Sequence, residues 1–317
     1  MLVQEEVKTE TGRSLPASKP RPLPVSLILL LRPKQWTKNL LVLAAWIFTG
    51  LGKDYHTSLA VLFAFGAMCM ASSATYIFND IADIERDRAH PKKRLRPIAS
   101  GAVPKTAAYV IGAILLAASV AVGFLLNHTS GTIIVSYLIL QVVYNLGLKH
   151  VPIADVFIIS LGFIFRAALG AAAISVTISS WLLFCTGALA LMLGFAKRRN
   201  EFISQGSDRA LSRESLLGYS RGALDALVIM FATGAALCYG VYAVDSSTAQ
   251  KFPALIITSI FVFYGICRYV LIVFSKDEGG EPENLLFKDR HVLFSIVMFI
   301  ASAMLAMSGF RIPILEK

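Results

Sequence analysis

Long apolar runs alternate with short charged stretches along almost the whole chain. A membrane-spanning helix takes about 20 mostly apolar residues. Nine runs come close to that length: Trp36 to Leu51, Thr57 to Phe78, Pro104 to Leu126, Ser130 to Leu148, Pro152 to Ile174, Ser179 to Ala196, Ala223 to Val244, Phe252 to Phe274 and His291 to Phe310. The first is short, and Leu27 to Leu31 before Pro33 is expected to add a half-buried lead-in helix. Proline at the start of the third and fifth runs suits a first turn, where the missing N–H costs nothing. The pattern predicts an all-α integral membrane bundle of nine transmembrane helices, one domain over residues 25–317. The polar, basic, Pro-rich residues 1–24 are read as a disordered cytoplasmic tail. They lack the charged end, short apolar core and cleavage site of a signal peptide.

The connections fall into two alternating sets. One comprises the amino-terminal tail, Ile81 to Val103, Lys149 to Val151, Lys197 to Gly222 and Ser275 to Arg290, and carries nearly all loop lysines and arginines. The other holds Lys53, Lys251, Arg311 and Lys317 alone. The positive-inside rule places the first set and the amino terminus in the cytoplasm. Nine spans then leave the carboxyl terminus outside a multi-pass protein of the inner (plasma) membrane. The outer loops are too short to hold a site, so the active site is expected to face the cytoplasm.

Composition agrees. Of 317 residues, 56% are hydrophobic and 16% charged, which is too apolar for a soluble domain. The net charge of +10 fits loops near anionic lipid and an anionic substrate, and does not call for nucleic acid. Cys69, Cys185, Cys238 and Cys267 lie in apolar runs without a CxxC pair and are read as small buried residues.

The charge is most concentrated in "YIFNDIADIERDRAHPKKRLRPIASG", Tyr76 to Gly101. At about 100° per residue, Asp80, Asp83 and Asp87 fall within about 100° of Asn79, while Glu85 points away. Three carboxylates and an amide on one stripe repel one another unless something positive sits among them. Magnesium takes one or two carboxylates plus substrate phosphates. A solvated helix end paired with Arg86, Arg88 and the lysines remains the alternative. Pro91 ends the helix and Pro97 closes the following turn. Lys92, Lys93, Arg94 and Arg96 therefore lie in a loop able to fold back over the carboxylates, and Arg94 and Arg96 are candidate phosphate ligands.

Asn79-Asp80-x-x-Asp83-x-x-x-Asp87 at the end of a second helix resembles the first aspartate motif of the UbiA superfamily of intramembrane prenyltransferases. "LRPKQWTKN", Leu31 to Asn39, is similar to that superfamily's approach to its first helix, and the resemblance runs through nearly the whole chain. It implies a UbiA-like bundle with the aspartates as catalytic, magnesium-binding residues. "HPKKRLRPIASG", "GLKHVPIAD" and "GGEPENLLFKDR" resemble a branch that moves phosphoribose from phosphoribosyl pyrophosphate to a polyprenyl (decaprenyl) phosphate. The superfamily's second Asp-x-x-x-Asp motif has no counterpart in "YNLGLKHVPIAD", where Tyr144, Asn145, Lys149 and Asp155 stand. The resemblance and the charge inventory together make Lys38, Asn39, Tyr144, Lys149, Asp155, Arg166, Lys197, Arg198 and Glu201 candidate substrate contacts. Lys197 and Glu201 share a helix face at i, i+4. Lys197 and Arg198 also fit simple snorkelling to headgroups. Arg166 is harder to dismiss, because a mid-span arginine faces a partner or a polar cavity. Asp155 lies about three turns earlier on nearly the same face, and whether the two meet is left open.

Phosphoribosyl pyrophosphate and a polyprenyl phosphate bring four phosphates. Basic residues on three successive cytoplasmic segments suit that load better than a single prenyl diphosphate. A prenyltransferase joining a prenyl diphosphate to an aromatic acceptor is the alternative. A transporter fits poorly, since the charges cluster at helix ends and no repeat is evident. A homo-oligomer is left open.

Overall fold

Several apolar runs begin where a short polar side chain can hold the first free N–H groups of a helix. Asp54 accepts from Thr57 N at 2.8 Å, Asn127 from Ser130 N at 2.8 Å, Ser220 from Ala223 N at 3.2 Å and Asp289 from Val292 N at 3.0 Å. These caps open four helices of the computed structural model, which describes residues 22–48, 54–90, 93–205, 214–277, 279–280, 285 and 288–310. In chain order they are α1 (Leu23–Leu30), α2 (Ala44–Phe48), α3 (Tyr55–Ala82), α4 (Ile84–Ala89), α5 (Lys105–Leu126), α6 (His128–Leu146), α7 (Ala154–Ala173), α8 (Ser180–Ser204), α9 (Arg221–Asp245), α10 (Ser247–Lys251), α11 (Thr258–Ser275) and α12 (Arg290–Met307). No strand occurs among the described residues.

Eight helices among the described residues are long and apolar enough to cross a membrane: α3, α5, α6, α7, α8, α9, the stretch Pro253–Ser275 that ends in α11, and α12. They match eight of the nine predicted runs to within a few residues, except that α8 extends to Ser204, two turns beyond Ala196. The lead-in helix is α1. The first run differs. Pro33–Leu43 is a 3₁₀ helix and only Ala44–Phe48 is α-helical. Residues 49–53, which include the expected end at Leu51 and Lys53, lie outside the described residues, as do most of the predicted tail, Lys92, Arg311 and Lys317.

The 3₁₀ stretch has a physical purpose. Such runs rarely exceed three or four residues, because their hydrogen bonds are poorly aligned. Three residues per turn bring Trp36, Asn39 and Val42 onto one face, and that face presses into the bundle. Trp36 Nε1 donates to Ser73 Oγ at 3.1 Å, and Asn39 Nδ2 donates to Ser72 Oγ at 3.1 Å. The Val42 carbonyl passes so close to Gly170 that a Cβ there would stand 1.9 Å from the oxygen. Glycine in α7 is what allows the approach.

Around this segment the long helices pack in chain order: α3 on α5, α5 on α6, α6 on α7, α7 on α8, α8 on α9, α9 on α11 and α11 on α12. The circuit closes where α12 reaches α2. Spans α3 and α7 bury the largest share of their apolar windows, while α5 turns most of its surface outward. Cys69 and Cys185 are buried as expected, but Cys267 is exposed on the outer side of α11. An apolar side chain costs nothing there if lipid is the neighbour.

Candidate active site

The carboxylate stripe forms at a break between two helices. Helix α3 ends at Ala82, and Asp83 sits at φ −94°, ψ 13°, between helical and extended backbone, before α4 resumes. Asp80 and Asp87 turn inward and are buried, while Asp83 and Asn79 are half-buried. The loop after α4 then returns over them. Ile98 and Val103 anchor it by packing with Leu30, Ile77, Ile81 and Ala108. Gly101, at φ 79°, supplies a left-handed turn that other residues resist. The anchored loop delivers Arg96, whose Nη1 donates to Asp87 Oδ2 at 2.6 Å and to Asp80 Oδ1 at 3.0 Å.

A second guanidinium reaches the same carboxylate. Arg32 adopts φ 53° between α1 and the 3₁₀ helix, an uncommon conformation for a non-glycine residue. Its Nη2 donates to Asp80 Oδ1, and its Cζ lies 4.8 Å from the Tyr76 ring centroid. Asp80 and Asp87 are thus joined by cations from two other segments. Asn79 and Asp83 make no side-chain hydrogen bond among the described residues.

The donor set fits a hard divalent cation in its chemistry. All its atoms are carboxylate or amide oxygens, and magnesium needs no more than one or two protein carboxylates when phosphates complete its shell. Among the described residues, no three acidic, histidine or cysteine side chains already converge on one point. Asp80 and Asp87 converge on arginine, so a metal–diphosphate ligand would share or exchange those guanidiniums.

A second polar group lies at the matching ends of α7 and α8. Arg198 is buried, with Nε donating to Asp155 Oδ2 at 2.7 Å and Nη1 donating to Glu201 Oε2 at 2.6 Å. Asp155 also accepts from Ser215 Oγ at 3.1 Å and Tyr219 Oη at 3.1 Å. The Tyr219 oxygen in turn accepts from the N–H of Ile153, a β-branched residue at φ 68°. Burial pushes the Tyr219 phenol up to about 12, so it stays protonated and keeps donating. Arg199 points the other way. It donates to Asp225 Oδ1 at 2.6 Å, Asp277 Oδ1 at 2.7 Å and the Val273 carbonyl at 2.8 Å, which ties α8 to α9 and α11.

Arg166 and Asp155 do not meet. Arg166 Nε donates to Asn39 Oδ1 at 2.8 Å, Nη1 to the Gly162 carbonyl at 2.7 Å and Nη2 to Tyr137 Oη at 3.2 Å. Of the other candidates, Lys38 Nζ donates to Gln35 Oε1 at 2.8 Å, Lys197 and Arg94 are exposed, and Lys149 is half-buried on a short turn. Tyr144 is half-buried near the end of α6. Glu201 pairs with Arg198 at i, i+3, a partner that the Lys197 spacing did not point to.

Sequence reasoning passed over Arg32, Tyr137, Arg199 and Tyr219. Arg32 lies inside the quoted "LRPKQWTKN", and its neighbouring proline could have marked a turn that turns the side chain back. Arg199 was hidden by adjacency, since successive residues of a helix face about 100° apart.

The UbiA prenyltransferase family matches residues 39–288 of the chain. The chain is 36% identical over 288 residues to decaprenyl-phosphate phosphoribosyltransferase of Mycolicibacterium smegmatis, covering 86% of this chain and 90% of that one. It is 35% identical over 277 residues to the protein of the same name from Corynebacterium glutamicum, covering 86% and 83%. In fold it is similar to a UbiA homolog from Archaeoglobus fulgidus solved with GPP and Mg2+, at a TM-score of 0.69 and 17% identity, covering 89% of this chain and 99% of that one.

Proposed function

The chain belongs to the UbiA prenyltransferase family, and on that premise we propose that it is a phosphoribosyltransferase of membranes, moving 5-phosphoribose from phosphoribosyl pyrophosphate to a polyprenyl phosphate such as decaprenyl phosphate. The observation that carries this reading is the similarity to two decaprenyl-phosphate phosphoribosyltransferases over more than four fifths of each chain. The site supports it, because buried arginines and carboxylates on neighbouring segments suit a ligand with several separated phosphates better than a single diphosphate on an apolar tail.

In this reading the C1–O bond to pyrophosphate breaks as an oxygen of the acceptor phosphate bonds to C1, with an oxocarbenium-like ribose between. The acceptor is already an anion at neutral pH, so no strong general base is required. Asp80, Asp83 and Asp87, with Asn79, hold the cofactor ion, which is magnesium in this proposal; when bound it neutralises charge growing on the departing pyrophosphate. Arg96 and Arg32 are placed to trade a carboxylate for a phosphate oxygen. A guanidinium makes that exchange well, because its planar fork fits either group. Lys38 and Arg94 flank this end, and Lys149 and Lys197 take the 5-phosphate. Arg198, held by Asp155 and Glu201, fixes the adjoining ends of α7 and α8.

The orientation completes the proposal. The charged loops and the site face the cytoplasm, the 3₁₀ segment and α2 belong to a ninth crossing of the plasma membrane, and the chain after residue 24 forms one domain. Purified protein given magnesium, labelled phosphoribosyl pyrophosphate and polyprenyl phosphate should form a labelled lipid and release pyrophosphate. Consumption of geranyl diphosphate with an aromatic acceptor, and no labelled lipid, would overturn the reading in favour of ordinary prenyl transfer.

A further inference from the structure

Buried charges among the described residues come with their opposites, with one exception. Among the described residues Asp80, Asp87, Asp155, Arg198 and Arg199 are buried, and each touches an oppositely charged side chain. Arg166 is 5% exposed, lies well inside the span α7, and touches no carboxylate among the described residues. Its three acceptors are an amide oxygen, a backbone carbonyl and a phenol. The rings of Tyr137 and Phe163 lie 5.1 and 5.3 Å from its Cζ. A guanidinium offers five N–H groups, so these bonds leave two, and neutral partners leave the whole charge. An uncompensated cation at this depth is costly, and such residues face substrate or ion pathways.

The backbone beside the guanidinium carries no side chain, and polar groups connect it to the rest of the site. Gly162 borders the guanidinium, and a Cβ there would stand 3.2 Å from Nη1. Polar contacts mark both ends of the way down: Arg32 bonds Asp80 and lies over Tyr76 at the top, and Tyr137 bonds Arg166 below. Asn39, which holds Arg166, is tied to Ser72 on α3, eight residues and about 12 Å below Asp80 along the helix axis. Cys69, which also receives a bond from Asn39, forms one wall of an apolar cleft of 240 Å³ with Leu31, Trp36, Phe65, Met70 and Leu115. A prenyl chain would occupy such a wall; a ribose phosphate would not.

The geometry points to Arg166 as the binding residue for the phosphate of the polyprenyl acceptor, with Asn39 and Tyr137 orienting its guanidinium. The inference rests on the phosphoribosyl-transfer reading. The missing counter-charge arrives with the substrate, carried to that depth by its own apolar tail. An in-line displacement requires incoming and outgoing oxygens on opposite sides of C1. A cation deeper than the aspartates suits that demand, since the ribose then lies between the two anion sites.

The test uses the full-length protein in nanodiscs and four probes: a polyprenyl phosphate, the polyprenol of the same length, phosphoribosyl pyrophosphate and ribose 5-phosphate. Wild type should bind the lipid phosphate more tightly than the alcohol by roughly tenfold or more, the scale of charge-assisted hydrogen bonds. Arg166→Gln should bring the two lipids to within about twofold and leave phosphoribosyl pyrophosphate binding unchanged. Gly162→Ala, which crowds Nη1 without removing the charge, should weaken the lipid phosphate selectively and serves if Arg166→Gln does not fold. Full discrimination retained in the folded variants would overturn the inference. So would a loss confined to phosphoribosyl pyrophosphate and ribose 5-phosphate, which would assign the cation to the donor. A wild type that does not prefer the lipid phosphate to the alcohol would instead overturn the phosphoribosyl reading itself.

Discussion

At Arg96 a single nitrogen serves two carboxylates, 2.6 and 3.0 Å away. Removing one negative charge changes what that nitrogen holds without changing the shape of the pocket. Asp80→Asn or Asp87→Asn should therefore lower turnover of phosphoribosyl pyrophosphate by on the order of 100-fold, the usual cost of losing a charge-stabilising group. The melting temperature should move little. Near-normal turnover by both variants, or by wild type in excess EDTA, would sink the metal role. Asp289 is the contrasting case, a carboxylate with a structural task. It accepts from His291 N and Val292 N at the start of α12 and pairs with Arg268 at 2.8 Å. Arg268 beside it holds its carboxyl well below the ordinary range. A lowered folded value means that the stabilisation is full above the unfolded value of about 3.9 and fades as pH falls through the folded one. Asp289→Asn, which keeps a capping oxygen and removes the charge, should cost about 0.2–1 kcal/mol, the scale of a partly exposed ion pair. Its penalty, read from melting curves, should disappear in strong acid; an equal penalty at every pH would contradict the pairing.

Between elements, the decisive contact is backbone on backbone. The 3₁₀ segment can lie in the bundle because Gly170 lets the Val42 carbonyl approach α7. Gly170→Ala should destabilise the folded protein by about 1–3 kcal/mol, the cost of overpacking. It should weaken activity through Asn39, which the displaced segment carries. Gly66→Ala in α3 is the control, with nothing within 4 Å of the added carbon, and its melting temperature should hold or rise slightly. Equal melting shifts for the two would show that the 3₁₀ segment does not depend on this approach.

For the molecule as a whole, the closed order of helices gathers the charged ends of α3, α7 and α8 on one side. Reporter fusions should place Asp87 and Arg198 in the cytoplasm and Lys317 outside. A noncytoplasmic signal at Asp87 would remove access for a water-soluble donor and overturn the proposed orientation. Arg199 belongs to this scale too. Its bonds to Asp225 and Asp277 join three helices, so Arg199→Met should lower the melting temperature more than Lys197→Met, whose side chain is exposed.

The sequence by itself determined the eight long spans, their order and the family, because each of these is a local or periodic property. Apolar length is read one helix at a time, whereas the single arc expected for Asn79, Asp80, Asp83 and Asp87 assumes a helix that in fact breaks at Asp83. The tertiary structure decided the partners. It alone made Pro33–Leu43 a 3₁₀ helix, because the gain lies in where Trp36, Asn39 and Val42 land on α3 and α7. It gave Asp155 to Arg198 and left Arg166 to Asn39 and Tyr137, although one helix carries both Asp155 and Arg166. A helix dictates which of its residues share a face; what that face meets depends on contacts with other helices, from 29 to 127 residues away in sequence, which no spacing along one helix encodes.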